Sequence, residues 1–276
     1  MVGKGHLISG THMVGTNKSL GQHWLKNRAI LDEIADLAAG GNAADLGASV
    51  DSASTEVCVE IGPGLGFLTS SLLKRFNKVI AVEYDQRLAE NLPKSFPGKN
   101  LEVITGDFLG VDLAKVTNGQ KYVLAGNIPY YITSPIIEKA LTEEHLPEVI
   151  VLLMQKEVAE RIIDDKETML SLFVKNRAEV AAGPVVPRGE FTPPPKVDSQ
   201  VLVLRPHQPE VSEGVFKLIR QAFIAPRKKL IHNLAPVKPK NELEAVFKEL
   251  GFDLNVRPGD LHLGEYDKLF ARLKLS

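Results

Sequence analysis

From Glu56 to Ile163 the chain repeats one rhythm: a short apolar run, a loop, then a segment with helical periodicity. The runs at 57–61, 78–82, 101–105, 122–125 and 149–154 are too short for buried helices and consist mostly of Val, Ile, Leu and Ala. They read as strands buried on both faces. Between them, 68–76, 87–96, 134–142 and 156–163 carry apolar residues at helical spacing, and Pro135 suits a first helical turn. Strands alternating with helices imply a parallel, doubly wound α/β sheet, which binds ligands beyond the carboxyl ends of its strands.

Two further strands, 179–186 and 200–204, flank the stiff, extended connector Phe191-Thr-Pro-Pro-Pro-Lys-Val-Asp-Ser199. No crossover helix fits there, so the two are expected to pair antiparallel. A mostly parallel seven-stranded sheet with an antiparallel last strand is the Rossmann-like shape of class I S-adenosylmethionine-dependent methyltransferases. Ahead of the sheet, Asn27 is an N-cap candidate for a helix over 28–39, and the Gly/Ala/Ser/Asp stretch 40–55 reads as a solvated, mobile loop. After Pro206 the pattern is helical, at 215–224, 228–234, 242–250 and 266–273. The expected organisation is a flexible tail over 1–16, a catalytic α/β domain over 17–206 and a small all-α C-terminal domain over 207–276.

Composition narrows the setting. No apolar run approaches the ~20 residues of a membrane span, and the first thirteen residues lack the apolar centre of a secretory signal. Cys58 is the single cysteine, which excludes an internal disulfide and fits a reducing cytosol. A net charge of −1 argues against a generic nucleic-acid binder. The charge is unevenly spread, however: from Val186 onward 15 basic side chains stand against 11 acidic ones, while the rest is net acidic. Any phosphate-binding surface is therefore expected as a local patch on the C-terminal part.

The distinctive polar residues lie at strand ends. Glu60-Ile-Gly62-Pro-Gly64-Leu-Gly66 follows the first strand with glycines spaced G-x-G-x-G, not the G-x-G-x-x-G of nicotinamide sites. Absent Cβ atoms let a cofactor pass close to the strand end, and the loop by itself leaves NAD and S-adenosylmethionine level. Glu83 closes the second strand, where a carboxylate can accept both ribose hydroxyls. Asp107 ends the third; it can accept from an adenine amine while Phe108 stacks on the ring. After the fourth strand comes Gly126, where the backbone must turn or be closely approached, and then Asn127-Ile128-Pro129-Tyr130. The Asn127 side-chain oxygen and the Ile128 carbonyl can each accept one N–H of an exocyclic amine. Pro129 fixes φ and Tyr130 offers a stacking face.

Asn127-Ile-Pro-Tyr130 resembles the signature of methyltransferases acting on adenine N6. Ser19-Leu-Gly-Gln22-His-Trp-Leu25, Val59-Glu-Ile-Gly-Pro-Gly-Leu-Gly-Phe-Leu-Thr69, Met154-Gln-Lys-Glu-Val-Ala-Glu-Arg161 and Phe191-Thr-Pro-Pro-Pro-Lys-Val-Asp-Ser199 extend the likeness. From Ser19 to its end the chain resembles the ribosomal RNA adenine-N6,N6-dimethyltransferases, the KsgA/RsmA group, relatives of the macrolide-resistance Erm methyltransferases. His23 and Trp24 depart from the family's usual Asn and Phe.

The resemblance implies S-adenosylmethionine as cofactor, S-adenosylhomocysteine as product and no metal. Gln22, His23, Leu25, Gly62, Gly64, Glu83, Asp107, Phe108 and Asn127 would line the cofactor. Asn127 and Ile128 would hold the target amine, Pro129 would keep them in place, and Tyr130 and Phe191 would sandwich a flipped adenine. Arg227, Lys228 and Lys229 would contact RNA phosphates without reading bases. The implied reaction dimethylates two adjacent adenines in the 3′-terminal hairpin loop of 16S rRNA during assembly of the small ribosomal subunit. The enzyme is expected to be cytoplasmic, monomeric and free of membrane contact. An Erm-type 23S rRNA enzyme and an assembly-checkpoint protein with catalysis secondary are the alternatives.

Overall fold

The computed structural model describes residues 22–41 and 56–275. The expected tail over 1–16, the start of the Ser19–Leu25 motif and nearly all of the 40–55 loop lie outside the described residues. The strands are β1 (Trp24–Leu25), β2 (Val57–Ile61), β3 (Lys78–Glu83), β4 (Leu101–Thr105), β5 (Tyr122–Asn127), β6 (Val149–Gln155), β7 (Ala178–Val186), β8 (Phe191–Thr192) and β9 (Ser199–Pro206). Seven of them form one sheet in the order β4-β3-β2-β5-β6-β9-β7. Pairing is parallel from β4 through β6, and β9 lies antiparallel to both β6 and β7. The order reverses direction between β2 and β5, which is where such sheets open a crevice.

Helices α1 (Arg28–Ala38) and α2 (Phe67–Leu72) cover one face, burying Leu31, Ile34 and Leu72 against Cys58, Val123 and Val151. Helices α5 (Thr133–Ala140) and α6 (Lys156–Ile163) cover the other, burying Ile136, Ile137 and Ile162 with Val59, Leu124 and Leu152. Alternate residues of each central strand thus serve opposite faces, which is why those strands are apolar throughout. Helix α3 (Gln86–Ser95) follows β3 and the short α4 (Leu113–Val116) follows β4. Asn27 caps α1 as expected, its side chain accepting from the Ala29 and Ile30 amides. None of the described helices is long and apolar enough to cross a membrane.

Two features differ from the sequence reading. Strand β5 runs on through Gly126 and Asn127, with Gly126 paired to Ile61 and Leu152 on its two sides. Gly126 is therefore a close approach and not a turn: a Cβ there would lie 2.8 Å from the Ile61 carbonyl oxygen. Helix α7 (Met169–Lys175) has no counterpart in that reading. It starts at a reciprocal cap between Thr168 and Ser171, and its apolar face is divided. Val174 packs with the sheet, and Leu172 packs with α8 (Glu213–Ala222), α9 (Leu230–Asn233), α10 (Lys240–Leu250) and α11 (Leu263–Arg272). The same junction is tied by Glu167, which is almost fully buried. Its carboxylate accepts from Ser171 Oγ (2.6 Å) and Lys175 Nζ (3.0 Å), and lies 3.1 Å from His262 Nδ1. Its N–H donates to the Gly259 carbonyl (2.9 Å).

Gly126→Ala should overpack the β2–β5 contact, at a cost of about 1–3 kcal/mol. The thermal unfolding midpoint should fall by several degrees; an unchanged midpoint would mean that the two strands move apart there freely.

Candidate active site

The residues singled out in the sequence converge on the carboxyl edge of the sheet. A small cavity of about 90 Å³ lies over β2 and β5. A larger one of about 280 Å³ adjoins it over β3 and β4, and the two share Gln22, Gly62, Glu83 and Pro129. His23, Leu25, Gly64, Asn127, Ile128 and Tyr130 line the first. Asp107 and Phe108 line the second.

The glycine loop joins the two cavities. Gly62 has φ +63° and Gly64 φ +58°, a left-handed backbone that glycine adopts without strain. Among the described residues, and its own chain neighbours apart, nothing lies within 4 Å of where a Gly62 Cβ would sit. Below it, Glu83 accepts the Gly64 N–H on one carboxylate oxygen (2.9 Å) and the Asp85 N–H on the other (2.8 Å). A carboxylate oxygen can accept more than one hydrogen bond, so these amides do not by themselves exhaust Glu83. Burial raises the Glu83 pKa and the Asp85 charge adds to the rise, while the Asp85, Gly64 and Tyr84 amides oppose it. Asp107 spends one oxygen on the Leu109 N–H (3.0 Å), while the Phe108 ring is buried beside it.

Asn127 ends β5, and its Nδ2 donates to the backbone carbonyl of His23 at 3.0 Å. A carbonyl can only accept, so this bond fixes which way the amide faces and leaves Oδ1 as the acceptor. Ile128 continues the strand by donating its N–H to Leu153 (3.1 Å), and Pro129 holds φ at −60°. Tyr130 is half-buried. Its hydroxyl bonds Ser199 Oγ at 2.8 Å, and its ring stacks on His23 with centroids 5.9 Å apart and 20° between planes.

One expected member is absent. Phe191 lines neither cavity; it is 3 % exposed, within the core that α1 and α2 cover. The reason is a pairing of very short strands: β8 runs antiparallel to β1, with Leu25 opposite Phe191 and Trp24 opposite Thr192. That register turns Phe191 inward. The same pairing holds the Gln22–Leu25 segment over the glycine loop, with Trp24 Nε1 3.2 Å from the Gly64 Cβ position.

Residues 13–274 match the sequence model of a family described as ribosomal RNA adenine dimethylase. The chain belongs to that family. Proteins called ribosomal RNA small subunit methyltransferase A are similar to it. That of Dehalococcoides mccartyi is 36% identical over 264 residues, covering 91% of this chain and 86% of the relative. That of Bacillus cereus is 36% identical over 278 residues, covering 94% and 91%. Among solved structures, the 23S rRNA methyltransferase ErmE superposes with a TM-score of 0.72 at 26% identity, covering 91% of this chain and 99% of its own. A dimethyladenosine transferase from Plasmodium falciparum also gives 0.72, at 29% identity and 92% and 99% coverage. This adenine dimethylase therefore has the class I methyltransferase fold and is an rRNA adenine methyltransferase.

Sequence reasoning passed over Glu60, Tyr84 and Tyr131 as site residues. Tyr84 and Tyr131 are 65% and 63% exposed, and both line the larger cavity. Their signal is adjacency alone, since each directly follows a residue already singled out. Glu60 was visible as an acid inside an apolar strand. It lines the smaller cavity fully buried, accepting the Thr69 hydroxyl at 2.6 Å. Burial, and to a lesser degree the nearby Glu83 charge, push its pKa up to about 8, so at neutral pH it holds its proton.

The folded chain keeps a Glu60 proton that the unfolded chain releases near pH ~4.3. Stability should therefore fall as the pH rises from about 4 to about 8 and level off above. Glu60→Gln, a neutral isostere of the protonated acid, should flatten the decline of the thermal midpoint between pH 5 and 8; equal slopes for both proteins would contradict a protonated Glu60.

Proposed function

We propose that this dimethylase is the S-adenosylmethionine-dependent enzyme that dimethylates N6 of two adjacent adenines in the 3′-terminal hairpin loop of 16S rRNA during small-subunit assembly. The observation that carries the reading is the Asn127 amide, held by the His23 carbonyl so that Oδ1 is left to accept beside the glycine loop. The site fits the cofactor on two counts: no described residue beyond its chain neighbours fills the space at a Gly62 Cβ, and the Glu83 carboxylate lines both cavities. When bound, S-adenosylmethionine supplies an electrophilic methyl group on a sulfonium. Gln22, His23, Leu25, Gly62, Gly64 and Glu83 would hold it, with Asp107 and Phe108 at its adenine.

The protein's own part is orientation. Adenine N6 is a poor nucleophile because its lone pair is delocalised into the ring. Asn127 Oδ1 and the Ile128 carbonyl would each accept one N–H, favouring the pyramidal amine that develops as the new bond forms. Pro129 would keep both acceptors in place, and Tyr130, pinned by Ser199, would hold the base in plane. Fixing the reactants in this way corresponds to effective molarities of ~10⁵ M or more, so no strong base is needed. A second transfer meets an amine with a single N–H, which leaves one acceptor unused and asks only for room.

Arg227, Lys228 and Lys229 precede α9 as exposed side chains, and Lys229 Nζ reaches Asn255 Oδ1 at 2.5 Å. As phosphate contacts they would act without sequence preference. Replacing Arg227 or Lys228 by Ala should weaken RNA binding uniformly and lower the salt slope by about 1 each. Unchanged slopes would remove them from the interface. The chain is taken to work as a cytoplasmic monomer.

The likeness to ErmE supports a second reading, a 23S rRNA enzyme. The higher identity to the small-subunit methyltransferases, over nearly the whole of both chains, favours the first. Labelled methyl transfer onto unmethylated small and large subunits, followed by nucleoside analysis, separates the two. N6,N6-dimethyladenosine in the small subunit is expected, and label in the large subunit would replace this reading. Asn127→Ala should lower transfer by about 10²–10³ while particle binding persists; full activity would remove Asn127 from its role.

A further inference from the structure

S-adenosylmethionine ends in an amino acid, so a site for it must meet a carboxylate as well as an ammonium group. The smaller cavity has no cation for that task. Among the described residues no Lys or Arg lines it, and the acids that do are Glu60 and Glu83. A carboxylate placed there has to be satisfied by neutral N–H donors. The glycine loop has few left to give. Gly62 donates to the Val82 carbonyl, Gly64 to Glu83 and Gly66 to the Pro63 carbonyl, each at 2.9 Å. Pro63 has no N–H at all. Most of the polar side chains that line the cavity are engaged as well. His23 Nδ1 meets the Pro193 carbonyl, Asn127 Nδ2 the His23 carbonyl and the Tyr130 hydroxyl Ser199 Oγ.

Trp24 is the exception. Its side chain lines the same cavity, and Nε1 lies 3.2 Å from where a Gly64 Cβ would sit. The donor edge of the indole therefore rests on the glycine loop. Among the described residues that N–H has no acceptor. Trp24 is half-buried, and its N–H is reachable from the crevice. Indole nitrogen donates and cannot accept, so it suits an anion and offers nothing to an ammonium group. The pairing of Trp24 with Thr192 fixes the backbone from which the ring reaches.

We propose that the Trp24 indole N–H donates to the carboxylate of the bound cofactor's amino-acid tail, so that Trp24 selects a ligand bearing that anion. This rests on the reading of the crevice as an S-adenosylmethionine site. Phenylalanine, the family's usual residue here, would keep a ring and lose the donor, so the contact belongs to this chain's own residue.

Trp24 is the one tryptophan, so a proton–nitrogen correlation spectrum of the full chain carries a single indole N–H signal. That signal should move downfield when S-adenosylhomocysteine binds, and much less with the carboxyl methyl ester of the same compound. By calorimetry, Trp24→Phe should bind S-adenosylhomocysteine about 10–100-fold more weakly than the parent protein. Both proteins should bind the ester alike, and both should bind methylthioadenosine, which has no amino-acid tail, alike. An indole signal that stays put with S-adenosylhomocysteine bound would overturn the proposal, as would an unchanged affinity of Trp24→Phe. Equal losses for S-adenosylhomocysteine and methylthioadenosine would overturn it too, since the ring would then only pack the pocket. If the parent protein binds neither compound, the cofactor reading itself is wrong and this contact goes with it.

Discussion

The hydrogen bond from Asn127 to the His23 carbonyl spans 104 residues and settles more of this molecule's chemistry than any other single contact. An amide at a strand end can face two ways, with its oxygen or its nitrogen toward the crevice. Only one of these offers an acceptor to an incoming amine. By giving Asn127 a partner that cannot donate, the Gln22–Leu25 segment selects that orientation. It also closes over the glycine loop, so one contact both shapes the crevice and sets its polarity. The pairing of β1 with β8 holds the segment where it can do this.

The sheet was largely legible because its inner strands, buried on both faces, have no polar face to blur their ends, whereas the edge strands β4 and β7 are partly exposed. The convergence of Gly62, Glu83, Asp107 and Asn127 on one crevice was legible because they lie at strand ends, where a doubly wound sheet binds ligands. What escaped shares one cause: it depends on contacts between distant segments too short to leave a period. Strands β1 and β8 have two residues each, and no pattern of two residues reveals a register. The inward turn of Phe191 follows from that register alone. Helix α7, Met169-Leu-Ser-Leu-Phe-Val-Lys175, carries apolar residues suited to strand or helix, and only its Thr168–Ser171 cap distinguishes the two. Of the two possibilities the sequence leaves at Gly126, a turn or a close approach, proximity to Ile61 selects the second.

The crevice is acidic where it is deepest. Glu60 and Glu83 stand at the ends of neighbouring strands, both buried, and both are raised in pKa by that burial. With Glu60 protonated at neutral pH, this floor offers hydrogen-bonding groups to ligand hydroxyls, and among the described residues no Lys or Arg lines either cavity to attract phosphate. Attraction for a polyanion must then come from elsewhere on the surface, in keeping with the basic excess after Val186. The separation is economical: the catalytic cleft need not compete with its own substrate's backbone for charge.

Leu172 and Glu167 give the C-terminal helices a share in the body that precedes them. Helix α7 offers one of its sides to the sheet and the other to α8–α11, while Glu167 grips His262 and the Gly259 backbone across the same seam. A boundary drawn at Pro206 therefore cuts the chain but not the packing. Severed there, the later helices would leave Leu172 bare and the Glu167 carboxylate without its histidine.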